Sequence, residues 1–193
     1  MLVTTSALRT PGPRFRPIHD MYQAAVFIHL ASAIVWIGGS LFLALVLIPV
    51  LRRFAPPPGE PPVLPPDMLG AMARRFRWIS WVCIVLLVAT GLYILPTRYG
   101  IGFGDFFSLG GHFVATLQVK VALVAVVIWL SAIHDFIIGP YTNRLIEAMQ
   151  AGAEPPGYLP LLRKSVVWIA RVNVLLTILV VVVAVTMTRG APV

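Results

Sequence analysis

Five ionisable side chains stand inside long apolar runs of this 193-residue sequence: His29, Lys120, His134, Asp135 and Arg171. At the centre of a membrane helix such a group costs ~2.5 to 3.5 kcal/mol on the insertion scale, so each needs a partner or a task. An imidazole can give a nitrogen lone pair to a metal or an N–H to a carbonyl. A lysine can act as a cation toward an anionic ligand or, stripped of its proton, as a second nitrogen donor. Asp135 and Arg171 are natural partners for each other, and the sequence predicts a structural ion pair between them that locks two helices together. His134 then bonds a carbonyl, with a ligand role as its secondary reading.

Spacing sorts these groups by depth. His29 and Lys120 each lie seven residues inside their apolar runs, which puts both ~10 Å below the same boundary. His112 opens the third run in that half of the chain's span, and the small pair Thr90-Gly91 sits in the second, where it leaves room for a flat ligand or a neighbouring helix. Trp36 follows His29 by seven residues, on nearly the same helix face and one level deeper. His29, Lys120, His112, Trp36, Thr90 and Gly91 are therefore the cofactor-binding candidates, with His29 and His112 as metal ligands. The plainer reading has Lys120 snorkelling to the surface, His29 bonding across helices, and Trp36, Thr90 and Gly38-Gly39 packing.

The elements that must position these residues follow from composition. The chain is 59% hydrophobic and 11% charged, with a mean hydropathy of +0.89. Soluble domains carry about 25% charged residues, so a water-facing surface around one core is excluded. Apolar runs at 22–51, 78–96, 113–138 and 165–187 are each long enough to cross ~30 Å of hydrocarbon as a helix. The fold class is all-α: a polytopic membrane protein, a four-transmembrane-helix bundle over residues 21–190 after a polar, basic segment 1–20. The first run exceeds the roughly 7 to 15 residues of a signal-peptide core, so it reads as a retained helix. The loop 54–66 contains PPPGEPPVLPP, seven prolines in eleven positions, an extended linker that cannot lie in the bilayer. Asp67 is expected to cap the helix that follows it. The third connection, 139–164, is expected to open at Gly139-Pro140 and to carry a short interfacial helix, YTNRLIEAMQ.

The net charge of +8 reads as topology, with the lipid bilayer as partner and no nucleic acid. Arg9, Arg14, Arg16, Arg98 and Arg189 lie on one side; Arg52, Arg53, Arg74, Arg75, Arg77, Arg144, Arg163 and Lys164 lie on the other. The larger set belongs inside. Both termini are then expected on the outer side of a plasma or inner membrane. The second loop, RYGIGFGDFFSLGG, falls outside, where Tyr93, Tyr99, Phe103, Phe106 and Phe107 suit an interfacial aromatic belt.

Ligand chemistry narrows the candidates. The single cysteine, Cys83, excludes a disulfide within the chain and any multi-cysteine cluster. The six methionines stand at or beyond span ends, which disfavours a thioether ladder for Cu(I) but leaves a histidine-based Cu(II) site near the outer surface. Haem b is commonly held by imidazole, with His29 the leading ligand and His112 a candidate for the opposite face. Lys120 is either a second ligand or a cation meeting a propionate or a quinone oxygen.

The segments HLASAIVWIGGSLFLALVLIPVLRR (29–53), RFRWISWVCIVLLVATGLY (75–93), LQVKVALVAVVIWLSAIHDFIIGP (117–140) and RVNVLLTILVVVVAVTMTRG (171–190) resemble the CopD copper-resistance membrane domain. The histidine of the first span and the lysine of the third are also similar to the HemJ group of haem-pathway membrane proteins. Resemblance to CopD implies copper uptake or handling. Resemblance to HemJ implies bound haem b and a protoporphyrinogen-oxidising redox role, with His29 and Lys120 matching its functional pair. The sequence thus ranks first a haem b-binding redox protein passing electrons near the outer surface, alone or within a larger complex with quinone or other redox subunits. Copper transport or handling is the alternative, and a structural subunit without cofactor the third reading. Enzymatic activity stays open.

Overall fold

The computed structural model describes residues 17–55, 65–102 and 104–189; the expectations for residues 1–16, for the proline-rich linker over 56–64 and for Phe103 lie outside them. Four helices form the fold of the described residues. α1 covers Pro17–Phe42, widens into a π-helical stretch at Leu43–Leu47 and ends as Ile48–Arg53. α2 is Pro66–Tyr99. α3 covers His112–Ala132, widens at Ile133–Ile138 and continues through Gly139–Gln150. α4 is Leu159–Arg189. No strand is present among the described residues.

All four contain stretches apolar and long enough to cross a membrane: Asp20–Arg53, Gly70–Tyr99, His112–Met149 and Leu159–Met187. The chain is a multi-pass, all-α membrane protein. Its outward faces are correspondingly apolar, with Phe27 73%, Ile34 72% and Trp78 75% exposed, surface that a lipid environment covers without cost.

Two prolines inside spans explain the widened turns. Before Pro49, the Ile48 N–H reaches back five residues to the Leu43 carbonyl; before Pro140, the Gly139 N–H does the same to His134. A proline ring collides with the carbonyl four residues earlier, and the wider turn gives it room. Gly139-Pro140 therefore does not open a loop. The helix passes straight through it, and the third connection begins only after Gln150. Asp67 also differs from expectation: the cap position is Pro65, with Pro66 in the first turn, and Asp67 lies inside the helix.

The helices run up and down. α1 meets α2 from His29 against Thr90 to Gly39 against Phe76, and α3 meets α4 from Leu117 near Met187 to Ser131 against Asn173. The starts of α1 and α3 share the end that the charge count assigns to the outside, called the outer end below. There the second loop folds back onto the bundle. Ile101 and Phe106 pack with Val114, Leu117 and Met187, and the Gln118 side chain donates to the Phe106 carbonyl at 2.8 Å. Phe106 thus plugs the bundle instead of joining a surface belt, whereas Phe107 stays 84% exposed.

Candidate functional site

The outer pocket is built on α1 and α2. His29 Nδ1 lies 2.8 Å from Thr90 Oγ1. The Thr90 hydroxyl spends its one proton on the Leu86 carbonyl at 2.6 Å, the back-bond that a threonine makes within a helix. Toward His29 it can therefore only accept. Nδ1 carries the ring proton and Nε2 keeps its lone pair, the tautomer in which metal-binding histidines are held by an outer hydrogen bond.

Gly91 completes the seat. A Cβ there would stand 3.6 Å from His29 Cε1, an ordinary contact, so the glycine keeps the ring's edge uncrowded without being sterically required. Lys120 comes from α3, partly buried and within electrostatic reach of His29. No hydrogen bond or ion pair engages its amine among the described residues. The His29 ring and the Lys120 amine, from α1 and α3, thus share the outer half of the bundle within electrostatic reach of each other.

The other sequence candidates fall elsewhere. His112 is exposed at the start of α3, eight residues and so ~12 Å of helix outward from Lys120, and nothing ties its ring to the His29 seat. Trp36 is partly buried on α1, and its carbonyl accepts the Ser40 hydroxyl. Gly39 is a packing residue: a Cβ on it would lie 2.5 Å from the Phe76 ring. Gly38 has open space instead.

About 15 Å inward, ten or eleven residues along each helix, hydroxyls recur at Ser40, Ser80 and Ser131. Asn173 donates to Ser131 Oγ at 2.8 Å, and Thr177 back-bonds to Asn173. Ser80 Oγ and Asn173 Oδ1 are buried without a hydrogen-bond partner among the described residues.

At the inner end, the expected ion pair between Asp135 and Arg171 does not form. Arg171 is exposed on α4 and stacks over the Trp168 ring at 5.7 Å. Asp135 instead accepts from Trp81 Nε1 at 3.0 Å through one oxygen and meets His134 Nδ1 at 3.0 Å through the other. Arg77 lies within electrostatic reach of the same carboxylate. The physical reason is the widened turn that carries both His134 and Asp135. A widened turn departs from the regular spacing of about 100° that sets which neighbour a residue faces, and Asp135, within it, faces Trp81 on α2. Trp81 and Arg77 had no signal beyond their place at a span end, where aromatic and basic residues are ordinary anchors.

No group of three or more histidine, cysteine or carboxylate side chains is placed to hold a metal among the described residues. A shallow crevice between α1 and α4 is lined by Ile37, Ser40, Leu41, Val174, Thr177 and Ile178, away from His29.

A family model described as copper resistance protein D (CopD) matches residues 70–187. An uncharacterized protein of Aquifex aeolicus (strain VF5) is 26% identical over 120 residues, covering 62% of this chain and 71% of its own length. No solved structure matches.

Proposed function

As a member of the copper resistance protein D family, this chain is a membrane protein linked to copper handling, and we propose that it binds copper as cargo in the outer half of its bundle through the His29 imidazole. The observation that carries this is the hydrogen bond from His29 to Thr90, which fixes the tautomer with Nε2 free. Thr90 does for His29 what a second-shell carboxylate or carbonyl does in a metalloenzyme: it sets the ring's angle and keeps the ligating nitrogen unprotonated. Lys120 supplies a second nitrogen once its proton leaves, so copper and that proton compete for one lone pair, and binding strengthens as pH rises. Two nitrogens form a sparse donor set, which suits an ion that must leave as well as arrive. In this reading the chain sits in a plasma or inner membrane with both termini outside.

Haem b, which the sequence ranks first, is the second reading, and one observation favours it. A porphyrin brings four nitrogens of its own and asks the protein for only one or two axial donors, the number present at His29 and Lys120. The family match adds weight to copper and reverses the sequence's order.

The test is a visible spectrum and metal analysis of the purified protein. Stoichiometric copper without a Soret band supports the copper reading. A Soret band with a reducible α-band, lost on His29→Ala, replaces it with haem b.

A further inference from the structure

Around α2, Gly70, Arg74, Arg77 and Trp81 fall within about 60° of one another at about 100° per residue. Trp81 fixes the direction of that stripe, because its indole donates to Asp135 on α3 at 3.0 Å. The stripe therefore runs along the seam between α2 and α3 at the inner end. Two glycines lie under the arginine heads. A Cβ on Gly139 of α3 would stand 3.5 Å from Arg77 Nη2, and one on Gly70 would stand 3.2 Å from Arg74 Nη1. One guanidinium thus rests on the neighbouring helix and the other on its own, a turn apart.

Arg74, Arg75 and Arg77 put three cations within four positions of one helix, and like charges at that spacing repel. Protein groups relieve little of this. Neither Arg74 nor Arg77 has a hydrogen bond or ion pair among the described residues. Asp135 lies within electrostatic reach of Arg77, but its two oxygens are taken by Trp81 and His134. What the seam offers is two N–H forks a turn apart, and guanidinium forks match phosphate oxygens in pairs.

Depth identifies the source of the phosphate. The arginines lie at the inner end of the Gly70–Tyr99 span, next in sequence to Trp78, whose ring is on the lipid-facing side. An indole beside cations at a span end marks headgroup level, with acyl chains on one side and water on the other. Topology alone requires only that basic residues lie on one side of the membrane. It does not require two guanidinium heads seated over glycines on a single seam.

We propose that the inner end of the α2–α3 seam binds an anionic phospholipid, with Arg74 and Arg77 donating to its headgroup phosphate and Trp78 flanking its glycerol and acyl chains. A zwitterionic headgroup brings its own cation beside Arg75, so the seam selects a net negative one. The site is independent of the metal at His29.

The experiment is native mass spectrometry of the full chain in detergent micelles titrated with phosphatidylglycerol or phosphatidylcholine, paired with unfolding midpoints in nanodiscs of the same lipids. Phosphatidylglycerol is expected to add one retained lipid and to raise the midpoint; phosphatidylcholine does neither. Arg74→Gln with Arg77→Gln is expected to weaken that lipid by about 25-fold, at about 5-fold for each basic residue near a membrane surface. Arg74→Gln alone leaves Arg77 beside Asp135, guards against a misfolded double variant, and is expected to lose about 5-fold. The control is Arg52→Gln with Arg53→Gln, the same charge removed from the end of α1, expected to bind as the parent does. Equal losses in the two double variants would overturn the site and leave a diffuse basic surface. Equal retention of both lipids by the parent, or unchanged binding in both Arg74 variants, would overturn it as well. A midpoint raised as far by inorganic phosphate in lipid-free micelles would assign the seam to a free anion instead.

Discussion

The two ends of this bundle hold an imidazole by its Nδ1, and they do so with partners of opposite character. At the outer end the acceptor is a neutral hydroxyl, Thr90, already engaged with its own helix through Leu86, and the charged neighbour is a lysine from a third helix. At the inner end the acceptor is a carboxylate, Asp135, bonded to Trp81 and within electrostatic reach of Arg77. The difference follows from depth. An ionised carboxylate is costly far from water but tolerable at a span end, where His134 and Asp135 are partly exposed. A threonine can orient an imidazole in the hydrocarbon without adding a charge.

The comparison can be broken at graded points. Removing the outer imidazole has the largest expected effect: His29→Ala weakens the outer copper equivalent by more than about 100-fold, the loss of a ligand outright, while helix content by circular dichroism is unchanged. This is larger than the effect of removing a residue that only orients a ligand, about 10- to 100-fold. Thr90→Val falls within that range. It keeps the side chain's shape, deletes the acceptor for Nδ1–H and frees the tautomer, so outer affinity drops while helix content stays unchanged. If Thr90→Val binds as the parent does, the hydrogen bond is packing and not orientation.

Effects on stability are smaller and separate from binding. Gly39→Ala pushes a methyl into the Phe76 ring, 2.5 Å away, and is expected to cost about 1 to 3 kcal/mol, read as a lower midpoint of thermal unfolding in detergent. Trp81→Phe leaves one Asp135 oxygen without its donor, expected to cost about 1 to 2 kcal/mol, again read as a lower unfolding midpoint. Gly91→Ala is the smallest. Its Cβ meets His29 Cε1 at an ordinary 3.6 Å, so outer affinity and unfolding midpoint should match the parent. A large loss there would mean that something bulkier than an ion uses the space, which would favour haem b.

Much of this architecture was legible before the structure. Apolar run length alone located the four helices, and the spans differ from the expected ranges mainly in continuing further at their ends. Counting residues from each boundary put His29 and Lys120 at one level, and the structure brings them into electrostatic reach. Depth is readable because rise per residue is nearly constant. Direction around the helix is less so. Asp135 was assigned to Arg171 by depth, but the widened turn before Pro140 rotates it toward Trp81. Gly139-Pro140 looked like a break because proline punctuation and a proline absorbed by a π turn share the same two letters. His112 matched by position in the sequence, yet a residue at a helix mouth answers to the loop before it, and that loop folds Phe106 inward without bringing His112 to His29.

The most direct measurement of the outer site is electron paramagnetic resonance of one Cu(II) equivalent bound to the His19→Gln, His112→Gln, His134→Gln protein, with and without His29. With His29 present, the spectrum should show nitrogen coupling from one imidazole, and binding should tighten as pH rises because copper displaces protons from its nitrogen ligands. With His29→Ala added, that coupling should vanish together with the bound ion. The same coupling persisting without His29 would contradict the assignment of the outer pocket as the copper site.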